Sequence, residues 1–187
     1  KDIRIGDTVV IEKAGEIIPV VVKVEMDKRP KKTKAFKLSK VCPECGSNAA
    51  KDKGEVVWRC PNPDCPAQVR GRLEHWCMRG AMDVDGGGEV LMRQLVANGL
   101  ALDAGELYEL TGEHVAGLER MADKSAQNFI DGLEKSKSQD LWRVVFGLGI
   151  LHVGAGVAKA LGRHYKNMDD LLDATEEQLV SIDDVGE

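Results

Sequence analysis

The first 26 residues carry runs of β-branched apolar residues that are typical of short strands. Apolar residues dominate or alternate with polar ones in residues 3–5, 8–11 and 17–24, and residues 13–15 (Lys-Ala-Gly) form a turn signal between two of these runs. Such runs bounded by glycine predict two or three strands of a small barrel. Pro19 cannot donate to a strand ladder and marks an edge or a bulge. Because two or three strands cannot close a barrel, we expect its other strands outside this sequence.

From residue 66 onward the apolar positions follow a helical period. Pro66 stands at a favoured first helical position. A unit of 32–34 residues then recurs, with an apolar residue, two spacers, usually a second apolar residue, and a small residue. Its four copies lie at residues 84–88, 118–122, 150–154 and 182–186. Helical spacing follows the first three, so each unit predicts a helix, a tight hairpin and a second helix.

These hairpins have a chemistry that depends on glycine. Without a Cβ, the backbone N–H groups at the start of the second helix can approach a phosphate oxygen. A single hairpin could be an ordinary helix–helix turn, but four in phase favour sequence-independent binding of a DNA backbone. The second hairpin has Ala122 where glycine is usual, and Asp183 and Asp184 would repel phosphate at the fourth, so some hairpins are expected to serve packing alone. The candidate DNA-binding residues are Gly86, Gly88, Lys124, Ser125, Gly154, Gly156 and Gly186.

Four of the five cysteines form two close pairs, Cys42 with Cys45 and Cys60 with Cys65. Each pair can direct two thiolates at one ion, which is the pattern of zinc sites. Four sulfur ligands leave no open coordination position, so the predicted site is structural and not catalytic. The alternative is two disulfides in a secreted domain, but the fifth cysteine is unpaired and the N-terminal segment is unlike a signal peptide. Gly46 is expected in a turn beside the sulfurs.

Composition adds an asymmetry of charge. The 187 residues are 43% apolar and 4% aromatic, and no run approaches the ~20 apolar residues of a membrane span, so we expect a soluble cytoplasmic protein without membrane contact. Residues 1–80 carry 17 Lys/Arg and 11 Asp/Glu, whereas residues 81–187 carry 9 and 20. The basic residues concentrate at 28–40, a segment that either attracts phosphate by counterion release or forms a solvated linker.

Other residues with reactive or aromatic side chains receive structural interpretations. Residues 54–59 predict a short strand that delivers Cys60 to the metal, and Trp58 is expected to cover that site rather than stack on a base. His75 and Cys77 could substitute as ligands but fit better as partly buried helix residues. Three further histidines lack a carboxylate or cysteine at triad-like spacing and are expected at surfaces or helix ends. They are His114, His152 and His164.

The order of these parts resembles one family, the bacterial NAD⁺-dependent DNA ligases. A strand pair containing Lys-Ala-Gly-x-Ile-Ile-Pro precedes a basic linker, the four-cysteine segment and four helix-hairpin-helix units. The resemblance covers essentially the whole chain. Phrases that carry it are Arg-Ile-Gly-Asp-Thr-Val at 4–9, Cys-Pro-Ala-Gln at 65–68, Ala-Met-Asp-Val-Asp at 81–85, Leu-Glu-Arg-Met at 118–121, Lys-Ser-Ala-Gln-Asn at 124–128 and Leu-Gly-Ile at 148–150.

The resemblance implies a multidomain α+β fold. Residues 1–39 would be the end of an OB-fold barrel with the basic linker, residues 40–68 a four-cysteine zinc finger, and residues 69–187 an all-α tandem helix-hairpin-helix domain. The implied function is the DNA-binding portion of an enzyme that seals nicks in duplex DNA during replication and repair. In this family a lysine takes AMP from NAD⁺, AMP moves to the 5′-phosphate, and the 3′-hydroxyl displaces it with Mg²⁺ assisting.

The same resemblance implies which parts act elsewhere. The adenylation domain with the nucleophilic lysine and the BRCT domain are expected in other parts of the polypeptide. No catalytic or cofactor-binding residue is therefore assigned, and the chain is expected to be inactive alone. Zn²⁺ is the expected ion in this chain, while NAD⁺ and Mg²⁺ would bind mainly outside it. The implied partner is nicked double-stranded DNA, bound by a monomer at the bacterial nucleoid.

Lys13 stands where the family often has arginine. Its role stays open, with a surface lysine in a turn as the favoured interpretation.

Two departures and one alternative complete the interpretation. Gly87 replaces the apolar residue usual in the first hairpin, so we expect a loosened turn there. The sequence stops at Glu187, inside the fourth unit, whose second helix is expected to be missing. The alternative function is a stand-alone zinc-finger and helix-hairpin-helix scaffold of a repair or recombination system. The unclosed strands argue against that alternative.

Overall fold

The structure, a computed structural model, describes residues 2–15, 17–51 and 53–186. In these ranges the chain forms a β-hairpin, a cysteine-bearing segment with little regular structure, and nine α-helices. None of the described helices is both long enough and apolar enough to cross a bilayer.

The N-terminal hairpin confirms the two predicted strands. Strand β1 (Val9–Ala14) pairs antiparallel with β2 (Ile18–Val24), and Pro19 lies opposite Lys13. Gly15 turns the chain with φ of +63°, a conformation that costs glycine little. Residues 3–5 form no third strand and contribute a single bridge between Arg4 and Ala35. Pro19 is tolerated because each strand of a two-stranded sheet is an edge.

An arginine in the basic tract ties that tract to the N-terminal hairpin. The Arg29 guanidinium donates from Nε to Oδ1 of Asp7 and from Nη2 to Oδ2, both at 2.8 Å, and from Nη1 to Asp2 at 3.0 Å. The Asp7 side chain is 1% exposed and that of Arg29 11%. The Arg29 hydrogen bonds hold the pKa of Asp7 below its usual value, and those from Arg4 and Arg29 lower the pKa of Asp2 to about 2. Arg29 thus serves folding, which leaves the exposed lysines as the candidates for phosphate attraction.

The cysteine-bearing segment is held by turns and isolated bridges. Val41 pairs with Asn48, and Ala50 pairs with Arg59. The strand predicted at residues 54–59 is therefore reduced to one bridge at Arg59. A segment this short has little apolar surface to bury, so it depends on a cross-link for its fold.

The helices divide into pairs around the predicted turns. Helix α1 begins at Pro66, as predicted, where the missing N–H of proline costs nothing. Helix α1 contacts α2, α4 contacts α5, and α6 contacts α7, while α9 precedes the fourth turn. The nine helices in the described ranges are α1 (Pro66–Cys77), α2 (Glu89–Ala97), α3 (Ala104–Leu107), α4 (Gly112–Ala116), α5 (Asp123–Ser136), α6 (Leu141–Gly147), α7 (Ala155–His164), α8 (Met168–Leu172) and α9 (Glu176–Val180).

Two apolar clusters hold these helices. The first is contributed by helices α1 to α5 and the turns between them, and includes the fully buried Phe129. The second is built on Val145 and Ala158 of α6 and α7, with partly buried residues of α8 and α9 against them. Helix α1 also contacts α6, and His75 Nε2 lies 2.8 Å from the Phe146 carbonyl oxygen. The first two hairpin units therefore share one core, and the last two share the other.

Candidate metal centre and phosphate-binding turns

The four paired cysteines bring their sulfurs together. The Sγ atoms of Cys42, Cys45, Cys60 and Cys65 all lie within 4.8 Å of one another. Two of the separations are 3.8 Å, between Cys42 and Cys65, and 3.5 Å, between Cys45 and Cys60. A tetrahedral ion with bonds of about 2.3 Å needs sulfurs ~3.8 Å apart, whereas a disulfide needs about 2.05 Å. The separations therefore fit a four-thiolate zinc site. The described cysteines are all free, so the two-disulfide alternative is wrong.

Backbone turns deliver these sulfurs. Gly46 has φ of +74°, as expected for the turn beside the first pair, and its N–H donates to the Cys42 carbonyl at 3.0 Å. The Cys42 N–H donates in turn to the Ser47 carbonyl at 2.8 Å. Cys65 is fully buried and is the N-cap of α1. A metal held here would therefore be joined directly to the first helix.

The ionisation of the four thiols is uneven. Hydrogen bonds with the Ser47 side chain and backbone lower the pKa of Cys45 to about 6. A backbone hydrogen bond at Asn62 lowers the pKa of Cys60, but desolvation and the three other sulfurs outweigh it and raise that pKa to about 12. Crowded sulfurs resist ionising together because like charges repel. A divalent cation would remove that repulsion and cross-link the segment.

The residues considered as spare ligands have structural roles. The His75 ring is hydrogen-bonded to the Phe146 carbonyl, and burial raises the pKa of the Cys77 thiol to about 12. Both therefore act as partly or fully buried helix residues, as predicted. Trp58 is 37% exposed, with the ammonium groups of Lys40 and Lys51 at 4.7 and 5.9 Å from its ring centroid. Two lysine ammonium groups therefore lie over its ring in cation–π contacts, which the sequence did not indicate.

The four predicted hairpins share one backbone geometry. In each, the fourth residue donates its N–H to the carbonyl of the first, at distances between 3.0 and 3.3 Å. The third residue has positive φ, as in type II turns. These third residues, 34, 32 and 32 positions apart, are Gly86 (+82°), Arg120 (+60°), His152 (+67°) and Asp184 (+70°). The sequence repeat is therefore also a repeat of conformation.

Helices that follow the first three turns begin without a side-chain cap. Their N-caps, Gly88 of α2, Ala122 of α5 and Gly154 of α7, make no side-chain hydrogen bond. Helices α1 and α6 also lack a side-chain cap, but no turn with positive φ directly precedes them in the described residues. Four shorter helices, in contrast, are capped by side chains. Those caps are Asp103, Thr111, Asn167 and Thr175. Uncapped first-turn amides after an exposed turn are available to an external anion, which the helix dipole also favours.

Comparisons with known proteins match three successive parts of the chain. The NAD-dependent DNA ligase OB-fold domain matches residues 1–33, the NAD-dependent DNA ligase C4 zinc finger domain matches residues 41–67, and the helix-hairpin-helix motif matches residues 143–187. A DNA ligase of Chlorobaculum tepidum is 50% identical over 185 residues, which are 98% of this chain and 27% of that protein. A DNA ligase of Bacillus subtilis is 46% identical over 187 residues, which are 100% of this chain and 28% of that protein.

The chain is therefore similar to NAD-dependent DNA ligases along nearly its whole length, and residues 1–33 and 41–67 match two domains of that family. It spans a little over a quarter of the length of the two relatives, 27% and 28%. Another relative, a DNA ligase 2 of Deinococcus deserti, is 46% identical over 99% of the chain. The multidomain α+β fold with a barrel segment, a zinc finger and helix-hairpin-helix units is confirmed, and none of these matches favours the stand-alone scaffold.

The uncapped helix starts of the chain differ in charge. The first turns of α2 and α5 contain Glu89 and Asp123, whereas the first turn of α7 contains no acidic residue. A Cβ added at Gly154 or Gly156 would have no heavy atom within 4 Å, so the space before α7 is open. The third hairpin therefore presents the most favourable site for an anion. All seven candidate DNA-binding residues, including Lys124, Ser125 and Gly186, are exposed.

The first hairpin corrects one expectation. Gly87 was expected to loosen its turn by removing a packing side chain. A Cβ at Gly87 would instead lie 2.4 Å from Cys77 Cβ and 2.8 Å from Cys77 Sγ. Cys77 of α1 therefore fills the space that the missing side chain leaves, and the turn is packed. The sequence did not indicate this contact of Cys77, because Gly87 is ten residues away and lies in a different element.

The sequence did not indicate a positive φ at the third residue of the second and third turns. Arg120 and His152 adopt positive φ, which L-residues rarely do, and the Arg120 side chain is 91% exposed. The signal was present as a constant offset of two residues from the first apolar position of each repeat. The other histidines match the expected helix ends and surface. His114 completes the capping box of α4, and His164 is exposed at the end of α7.

Proposed function

We propose that this chain is the DNA-gripping portion of an NAD⁺-dependent DNA ligase that seals nicks in duplex DNA. The observation that carries the proposal is the repetition of one turn geometry before three uncapped helix N-termini. Each such terminus offers oriented N–H groups and the positive end of a helix dipole to a phosphate. Contacts of this kind position a duplex and do not read its sequence.

Particular residues would make the contacts. Gly86 and Gly88 would admit a phosphate at the first hairpin, Gly154 and Gly156 at the third. At the second hairpin Lys124 and Ser125 would add side-chain donors beside the amides. Gly186 would act at the fourth, where the neighbouring Asp183 and Asp184 make the site the weakest. The exposure of each candidate supports this assignment.

The zinc site would orient the zinc finger relative to the DNA-binding hairpins. Cys42, Cys45, Cys60 and Cys65 would hold one Zn²⁺ with no open position, so the ion would act as a cross-link. We assign residues 1–39 to the OB-fold end and linker, 40–68 to the zinc finger, and 69–187 to the helix-hairpin-helix domain. Because Cys65 is the N-cap of α1, the cross-link would fix the finger to the first helix of the DNA-gripping domain.

The chemistry would take place in other parts of the ligase. NAD⁺ and Mg²⁺ would bind mainly outside this chain, the adenylation domain would form the AMP–lysine intermediate, and a BRCT domain would be a further partner within the polypeptide. The coverage of 27% of a related ligase supports this division. No residue of the chain is assigned a catalytic role. The assembled enzyme would work as a monomer in the bacterial cytoplasm, at the nucleoid.

Reconstitution tests the proposal. The chain is joined to the adenylation-domain half of a related ligase, and sealing of a nicked duplex is followed with NAD⁺ or with ATP. We expect sealing with NAD⁺, none with ATP, and little from the adenylation half alone. A matched control carries Cys42→Ser and Cys45→Ser, which should weaken sealing without touching the adenylation half. Sealing that uses ATP, or that is equal without this chain, would reject the proposal.

A further inference from the structure

One side chain bridges the first two hairpin units by pairing with a peptide of the other unit. Gln94 lies in α2, the helix that follows the first hairpin. Its Oε1 accepts from the Glu119 N–H at 2.7 Å, and its Nε2 donates to the Glu119 carbonyl at 3.2 Å. The Gln94 amide therefore satisfies both polar groups of a residue 25 positions away, as a neighbouring strand would.

The location of Glu119 gives this pairing its importance. Glu119 lies in the second hairpin, directly before Arg120, whose φ is +60°. Backbone in that conformation costs free energy for a residue with a side chain and persists only when its surroundings hold it. The two hydrogen bonds from Gln94 are such a restraint, applied at the second hairpin from the first unit.

We propose that Gln94 is a positioning residue that sets the distance between the first two phosphate-binding hairpins. Helix α2 begins after Gly88 at one phosphate site, and Gln94 lies six residues further along, about 9 Å at 1.5 Å per residue. One rigid helix thus carries the amides of the first hairpin and the clamp on the second, by which we mean the two hydrogen bonds between Gln94 and Glu119. Both hairpins then meet the DNA backbone as one unit. The inference rests on the proposed function, because it concerns the spacing of those DNA contacts.

The second pair of hairpins provides an internal contrast. Six residues after Gly154, the position equivalent to Gln94 is Ala160, which is buried. A methyl group forms no hydrogen bond, and the seam there is lined by Ala160, Ile182 and Asp183 among others. Ile182 and Val185 pack against the second apolar cluster, as Leu118 and Met121 of the second hairpin do against the first, so the two pairs differ at the Gln94 position and not in this packing. The clamp is therefore expected to act on the first pair of hairpins and not on the second.

Amide hydrogen exchange of the whole chain tests the structural half of the inference. Gln94→Ala should speed exchange of the Glu119 N–H roughly tenfold or more, because that donor loses its acceptor. Asn98→Ala is the matched control, since Asn98 Nδ2 donates to the Gln94 carbonyl within α2 and not to the second hairpin. It should leave Glu119 exchange unchanged. Equal exchange in Gln94→Ala and the unsubstituted chain would overturn the inference.

A double-mutant cycle tests the functional half with nicked duplex DNA as the probe. Lys124→Ala should weaken binding about tenfold in the unsubstituted chain and in Asn98→Ala, but less than about twofold in Gln94→Ala, where the second hairpin is already displaced. Additive losses would mean that Gln94 contributes only stability and would overturn the inference. Failure of the unsubstituted chain to bind any nicked duplex would overturn the proposed function, and the inference with it.

Discussion

Cys77 of α1 and Gly87 of the first hairpin fit against each other so closely that no Cβ can be added at Gly87. The nearest approach would be 2.4 Å to Cys77 Cβ. Protein interiors transmit such overlaps as shifts of the surrounding backbone. The contact therefore joins the end of α1 to the turn that precedes α2, and thereby fixes where the first hairpin lies.

Gly87→Ala should destabilise the helical region by about 1–3 kcal/mol, because the added methyl must displace α1 or the turn. Gly88→Ala is the matched control, since a Cβ at Gly88 has no heavy atom within 4 Å and the backbone there is extended. Thermal unfolding followed by far-ultraviolet circular dichroism measures both. Equal melting temperatures for the two variants would contradict the packed-turn description.

Removing a carboxylate from the first turn of a phosphate-binding helix should lower the stability of the helix and raise its affinity for DNA. Asp123 lies in the first turn of α5, where its negative charge interacts favourably with the helix dipole but repels phosphate. We expect Asp123→Asn to lower helix stability by about 0.3–1 kcal/mol and to tighten binding of nicked duplex roughly threefold. Glu176→Gln, in the capped helix α9, is the control and should change affinity little. Weaker binding by Asp123→Asn would contradict the account.

The reverse substitution should have the opposite effect at the third hairpin. Gly156→Asp places a carboxylate in the first turn of α7, which contains none. The helix should gain stability from the dipole and from the loss of glycine, while DNA affinity should fall roughly fivefold or more. Circular dichroism and a binding titration separate the two effects. A parallel fall in stability and affinity would indicate disrupted folding instead.

Zinc analysis checks the four-thiolate site. Chain purified under reducing conditions should contain about one equivalent of zinc, and Cys45→Ser should lose most of it. Chelation should make residues 40–65 sensitive to protease, because metal binding there is coupled to folding. Cys77→Ala is the control and should keep its zinc, since Cys77 lies outside the cluster. A metal-free native chain would contradict this assignment.

The N-terminal hairpin should lose stability in acid. Arg29 lowers the pKa of Asp7, and Arg4 with Arg29 lowers that of Asp2 to about 2. A carboxyl whose pKa is lower in the folded state stabilises the fold above its ordinary pKa of 3.8. That stabilisation is lost as the pH falls from there towards 2. Carboxyl titration by NMR should show Asp7 shifting back towards its ordinary pKa in Arg29→Gln. An ordinary Asp7 pKa in the unsubstituted chain would contradict the Arg29 contact.

Local patterns made much of this architecture predictable. The cysteine pairs, the start of α1 at Pro66 and the four-fold hairpin period depend on short spacings, which a sequence displays directly. The strand expected at residues 54–59 failed because a small metal-linked segment can be held by turns and single bridges.

Contacts between distant residues were not predictable. Nothing in the spacing of Cys77 and Gly87, or of Gln94 and Glu119, indicates that they meet, because each pair joins separate elements whose relative position is set by packing. The positive φ of Arg120 and His152 was not predictable either, because residues with a Cβ rarely adopt that conformation.

The salt dependence of duplex binding tests the central claim most directly, namely that hairpin amides and not clustered cations hold the DNA. The unsubstituted chain is titrated with nicked duplexes of two unrelated sequences over a range of salt concentrations. We predict equal affinity for the two sequences and a shallow slope of log K against log salt, about −2 to −3, since each phosphate neutralised by a cation contributes about −0.9. A slope of about −6 or steeper, or no binding at low salt, would contradict the account.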